Sequence, residues 1–330
     1  MKVLIVGKKA KGNAESFILK AFIQLGVESE LLGFDGYFSE SLANRVFNKI
    51  RRIPKYWGLK PFNAAVIKKT VEFNPDFVLF FKPVLIFPST VMELKKTTKV
   101  FSWYPDYIPF PKTASTDFFN SIPFYDCHFS FNFANVKELK NKGAKLSFFL
   151  PCAADPDYHA PAEVSESEKK EIGADIIFMG TYAKEKRSEY LERLCQDGYD
   201  VKVYGDGWKK HPKNSCLWRK ECIQLKAYYG KDMSKVFDAS KIVLAFVREH
   251  NKETLACRTY EIPAAGGFML HQRTTKTDEV FKEGEEAAFF SSYGELKEKI
   301  DFYLKNDALR KRIIQKGRQR LLMENLFVHR

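Results

Sequence analysis

The chain predicts two α/β domains in tandem, each built on a parallel β-sheet. Three observations carry this expectation. Short apolar runs recur without the alternation of a half-exposed strand, which marks strands covered on both faces. Segments with helical spacing separate those runs. A proline-rich and charged stretch near residues 150–175 breaks the series, which then begins again. At 330 residues the chain also exceeds the usual single core, so two domains are the natural reading.

The elements follow in order. Val3–Val6 is a buried strand, and Gly7 to Gly12 a turn. Asn13 is placed to cap a helix through Leu25 that stops at Gly26. Glu28–Gly33 reads as a second strand, and Asn74-Pro75-Asp76 introduces a third at Phe77–Phe81. Lys99–Trp103, Asp126–Ser130 and Leu146–Leu150 are the fourth to sixth. Pro151, Pro156, Pro161 and the tract SESEKKE then read as a connection over 153–174, between domains at 1–152 and 175–330. The second series runs through strands at Ile176–Gly180, Val201–Gly205, Ile242–Phe246, Phe268–Leu270 and Ala287–Phe290. A helix over Lys184–Asp197 and a turn of helix around Glu261 fall among them. Two amphipathic helices, Tyr293–Lys305 and Asp307–Leu322, close the chain, and the last is placed to pack back on the first domain.

Composition narrows the function. Lys and Arg exceed Asp and Glu by 13, which favours an anionic partner such as a nucleotide, a nucleic acid or an acidic membrane surface. No nucleic-acid motif accompanies the charge, so none is expected as a partner. No window approaches the ~18 apolar residues of a membrane span. The opening strand is unlike a secretory signal, and a cytoplasmic protein is expected. The six cysteines are scattered, with no CxxC and no histidine at metal-ligand spacing, which predicts reduced structural thiols and no zinc. Residues 45–69 hold eight Lys or Arg and no acid, with Phe47, Tyr56, Trp57 and Phe62 among them. That segment suits an anionic membrane surface or a lipid-phosphate acceptor, and equally a solvated helix with a core stripe.

The stretch from Glu253 to Phe290 carries the most chemistry. Arg258 and Glu261 lie three apart on one helical turn, which ends at Gly266-Gly267 before a buried strand. Such a helix presents its N-terminal N–H groups to a phosphate. Arg258 offers a planar fork for phosphate oxygens, and Glu261 an acceptor for ribose hydroxyls. A surface ion pair accounts for the same spacing.

These residues carry a resemblance. From about Asp175 onward the chain resembles the CgeB-like (spore-protein-type) GT-B glycosyltransferases, through FMGTYAKEKR, VKVYGDGW, RTYEIPAAGGFML, EVFKEGEEAAFF and the final His-Arg. The first half resembles that family more loosely, through NPDFVLFFKP and WYPD. The resemblance implies a GT-B fold, two Rossmann-like domains facing across a cleft. A nucleotide-sugar donor would be held by the second domain and a glycan or lipid-linked hydroxyl acceptor by the first. Cell-surface glycan synthesis on the inner face of the membrane is the implied setting. Chemistry of this kind uses preorganised cations and N–H dipoles without a cofactor or metal. Glu261 matches the ribose-binding Glu of related enzymes, and Glu253 completes a Glu-x7-Glu spacing found in retaining ones.

Further candidates come from position. Arg187, with Lys184 and Lys186, follows a strand at a helix start and is a pyrophosphate candidate. Gly205 begins a Gly-Asp-Gly turn after another strand, where the backbone can approach base or sugar or simply turn. Arg248 and His250 sit just past strand 242–246, at the edge where α/β ligands bind. Asp106, closing Trp103-Tyr104-Pro105, is the candidate general base or acceptor contact, and a turn Asp explains it as well. The loop GKKAKGN matches neither GxGxxG nor a Walker loop. A non-catalytic nucleotide- or glycan-binding protein on this fold remains the rival reading.

Overall fold

A computed structural model describes residues 1–37, 58–110 and 113–330. The chain divides into two compact units, Met1–Pro151 and Cys152–Arg330.

The first unit holds six strands: β1 (Lys2–Gly7), β2 (Glu28–Gly33), β3 (Phe77–Phe81), β4 (Lys99–Tyr104), β5 (Cys127–Ser130) and β6 (Ser147–Phe149). They form one sheet in the order β2-β1-β3-β4-β5-β6, with every pair parallel. The apolar runs explain the arrangement: Val3, Leu4, Ile5, Val78 and Phe80 are fully or almost fully buried because helices cover both faces. Asn13 stands at the N-cap of helix Ala14–Gln24, but its side chain accepts no capping hydrogen bond. Of the basic segment 45–69, residues 45–57 lie outside the described ones. The remainder enters helix Leu59–Phe73, which buries Leu59, Phe62, Val66 and Phe73.

The second unit holds β7 (Ile176–Met179), β8 (Val201–Tyr204), β9 (Ile242–Ala245), β10 (Met269–Gln272) and β11 (Ala288–Phe290). Their order is β11-β10-β9-β7-β8, again all parallel. The chain leaves β7 toward β8 on one side and returns to β9 on the other. The point between β7 and β9 is therefore the switch point where an open α/β sheet leaves a crevice at its C-terminal edge. Phe178, Trp208, Phe246, Phe268 and Phe290 fill the core around it. Trp208 is fully buried and its indole N–H donates to the Gly180 carbonyl at 2.8 Å, so truncating it would cost roughly 3–5 kcal/mol.

Residues 152–174 group with the second unit. Ala154 forms a parallel bridge with Leu326, and Arg330 donates to the carbonyl of Cys152 at 3.4 Å. The expectation of reduced thiols throughout is corrected: Cys195 and Cys216 are paired as a disulfide, their Cα atoms 6.0 Å apart. Helix Lys186–Gln196 and the short helix Cys216–Arg219 bring them together, across 21 residues of sequence.

Candidate functional site

The strands position the site. Loops 180–185 and 246–257 leave the C-terminal ends of β7 and β9, and both feed into helices, Lys186–Gln196 and Arg258–Ala264. Arg258 opens the second of these helices. Its Nε donates to the carbonyl of Met179, the last residue of β7, at 3.1 Å, which ties the helix to the switch point. Its Nη1 pairs with Oε2 of Glu261 one turn along. The Arg258 and Glu261 side chains are only 26% and 16% exposed, so this is no solvated surface pair. Burial pulls the Arg258 pKa down, and the positive charge of Arg248 adds to that effect.

Arg187 lies in the first turn of helix Lys186–Gln196 and is 5% exposed. Its Nε has no hydrogen-bond partner, and neither has Oε2 of Glu185, 3.7 Å away. Burial lowers the Arg187 pKa. Glu185 opposes that shift, and Arg248 adds to it. Arg248 thus stands near enough to repel both Arg187 and Arg258, and all three lie on segments that leave the switch point. Lys184 is exposed, and Lys186 reaches Glu249, at 3.6 Å.

The remaining candidates have identifiable local work. His250 caps Glu185, through its backbone N–H at 3.2 Å and through its ring Nδ1. Glu253 is built into its own loop. Oε2 accepts from the Arg248 backbone at 3.0 Å, and Oε1 from the Asn251 side chain at 2.8 Å. Gly205 has a φ of +122°, and a Cβ there would stand 2.4 Å from the Gly180 carbonyl oxygen. Only glycine lets the loops after β7 and β8 touch at that point. Gly266 and Gly267 sit at the far end of helix Arg258–Ala264, leading into β10. There Gly267 packs under Ile262, Phe237 and Val243 rather than joining the arginines.

In the first unit, Asp106 follows β4, and Oδ2 receives the Lys82 ammonium at 2.6 Å. Lys82 follows β3 in the left-handed region, φ +49°, a strained setting that places its side chain beside Asp106. Asn135, fully buried, fixes the loop from below: its amide donates to the Asp106 carbonyl at 2.6 Å and accepts from Ile108 N–H at 3.0 Å.

Sequence reasoning missed Lys82, Glu185 and His159. The last lies in the stretch read as a connection, is 2% exposed, and brings Nε2 to 3.7 Å from Oε1 of Glu261. Among the described residues no group of three or more His, Cys, Asp or Glu is placed to hold a metal ion. No described helix is long and apolar enough to cross a membrane.

Comparison with known proteins bears on this arrangement. Residues 186–330 match the family model described as "Glycosyl transferase-like". Nothing in the search of curated proteins matches. Among solved structures, a glycosyltransferase from Rickettsia africae superposes with a TM-score of 0.64 at 16% identity, covering 98% of this chain and 94% of its own. The architecture is GT-B, and residues 186–330 are similar to the glycosyl transferase-like family. Anabaena Alr3699/HepE in complex with UDP-glucose gives a TM-score of 0.62 at 13% identity, over 97% of this chain and 95% of its own. A sucrose-phosphate synthase from Thermosynechococcus elongatus gives 0.64 at 11% identity, over 99% and 94%. The family match over residues 186–330 supports the enzyme class, a glycosyltransferase.

Proposed function

We propose that the chain moves a sugar from a nucleotide-sugar donor to a hydroxyl acceptor. The gathering of Arg187, Arg248 and Arg258 at the β7/β9 switch point carries this reading. Arg248 repels both Arg187 and Arg258, and a diphosphate bound among them relieves that repulsion. As the glycosidic bond breaks, negative charge builds on the departing diphosphate, and these cations stabilise it without a metal. Glu261 takes the ribose hydroxyls, with its carboxylate oriented by Arg258. Asp106 serves the acceptor, taking its hydroxyl proton, while Lys82 keeps the carboxylate in place.

UDP is the first nucleotide to try, since HepE was solved with UDP and UDP-glucose. The motif set quoted above supports a CgeB-like type. An acceptor on a cell-surface glycan, reached from the membrane's inner face, belongs to the same reading. With both oxygens of Glu253 held inside its loop, the proposal leaves that residue a structural part.

The experiment is a thermal-shift and calorimetric screen of nucleoside diphosphates and UDP-sugars, repeated with EDTA and with Arg258→Ala and Glu261→Ala. Saturating donor should raise Tm by mass action, and both variants should weaken binding at least tenfold. Unchanged affinity in both variants would overturn the site. Binding without donor hydrolysis or transfer would favour the binding-protein reading.

A further inference from the structure

We infer that His159 is a positioning residue for the donor site, holding Glu261 in the orientation that reads a ribose, so that the turn 155–159 is part of that site. This rests on the donor-site reading above.

The turn is rigid for local reasons. The Asp155 carboxylate accepts from the backbone N–H groups of Asp157 and Tyr158, at 3.0 and 2.8 Å. His159 N–H closes onto the Asp155 carbonyl at 2.9 Å, and Pro156 fixes φ between them. Its neighbour Ala154 is anchored by the bridge to Leu326. The imidazole is thereby delivered to Glu261 from a separate turn of the chain, 155–159.

The surroundings of the ring favour one tautomer, since the Asp155 carbonyl already accepts from the His159 N–H. His159 is buried, and burial lowers its pKa to about 4, so it carries one proton at neutral pH. Nδ1 lies 3.1 Å from both the N–H and the carbonyl of Asp155. Were Nδ1 protonated, Nε2 would turn a lone pair on the Glu261 carboxylate and leave the Asp155 N–H without this acceptor. With Nδ1 accepting, Nε2–H points its positive end at Oε1 instead. Oε2 is occupied by Arg258, so Oε1 is the oxygen left to a ribose hydroxyl. At 3.7 Å the contact is an electrostatic one, longer than a hydrogen bond, so the imidazole faces that oxygen and leaves it open to a ribose hydroxyl.

The test uses the full chain and the nucleoside diphosphate, among UDP, GDP, ADP, CDP and dTDP, that gives the largest thermal shift. Its affinity is compared with that of the 2′,3′-dideoxy form in wild type, His159→Leu, His159→Gln and Glu261→Ala. His159→Leu should lose about tenfold in affinity for the nucleotide and nothing for the dideoxy form, the effect of one charged hydrogen bond. His159→Gln, which keeps a donor, should recover most of the preference. Equal losses for both ligands, or none, would overturn the inference. Should His159→Leu fold poorly, nitrogen NMR of the wild-type ring decides: the Nε2–H tautomer is required, and the Nδ1–H form refutes it. If Glu261→Ala itself keeps the wild-type preference, the donor-site reading fails. If Glu261→Ala abolishes the preference and His159→Leu keeps it, only the role of His159 fails.

Discussion

Acid should weaken the first unit through one buried ring, His128. That side chain is fully buried, its Nε2 2.9 Å from the Ile122 carbonyl and its Nδ1 2.5 Å from the Ser102 hydroxyl. The carbonyl can only accept, so Nε2 carries the proton and Nδ1 accepts from Ser102. Burial depresses the pKa to about 4, against roughly 6.5 in an unfolded chain. A depressed histidine pKa means the unfolded state binds the extra proton first. The stabilisation is therefore complete above about pH 6.5, falls as pH drops toward 4, and levels off below. Between pH 7.5 and pH 5.0 the linkage amounts to roughly 2 kcal/mol. The assay is denaturant unfolding of wild type and His128→Asn at the two pH values. The variant starts less stable but lacks the titrating group, so acid should cost it about 2 kcal/mol less than wild type. Equal acid losses in the two proteins would refute the neutral, buried assignment.

Other expectations follow from the same contacts. Asp106→Asn should remove most of the transfer activity and leave nucleotide affinity within about twofold, read by kinetics beside calorimetry. Gly205→Ala should lower stability by several kcal/mol, because its Cβ meets the Gly180 carbonyl at 2.4 Å in a backbone region side chains avoid, and Tm reports it. Reducing the Cys195–Cys216 disulfide should cost the second unit roughly 3 kcal/mol for a loop of this length, and peptide mapping without reductant should recover the linked pair.

What was legible in the sequence was whatever a short window encodes. Phe77–Phe81 and Ile176–Met179 announce buried parallel strands because burial on both faces demands unbroken apolar runs. Arg258 and Glu261 were legible because helical spacing alone brings residues three apart together. What was not legible depends on distant approach. The prolines around His159 give the local texture of a connection, while the carboxylate it approaches, Glu261, lies 102 residues on. Lys82 reaches Asp106 through a left-handed backbone that no residue type announced. Glu253 shows the converse. Its spacing was visible, but its partners, the Arg248 backbone and Asn251, are supplied by its own loop.

The bridge between Ala154 and Leu326 has a consequence for how such a protein is assembled over evolutionary time. The segment that enters the second unit lies beside the segment that leaves its last long helix. Where the entering segment of a unit pairs with the segment after its last long helix, the unit can be exchanged at that seam without stretching the chain across its surface. In that sense the second unit is a transferable module.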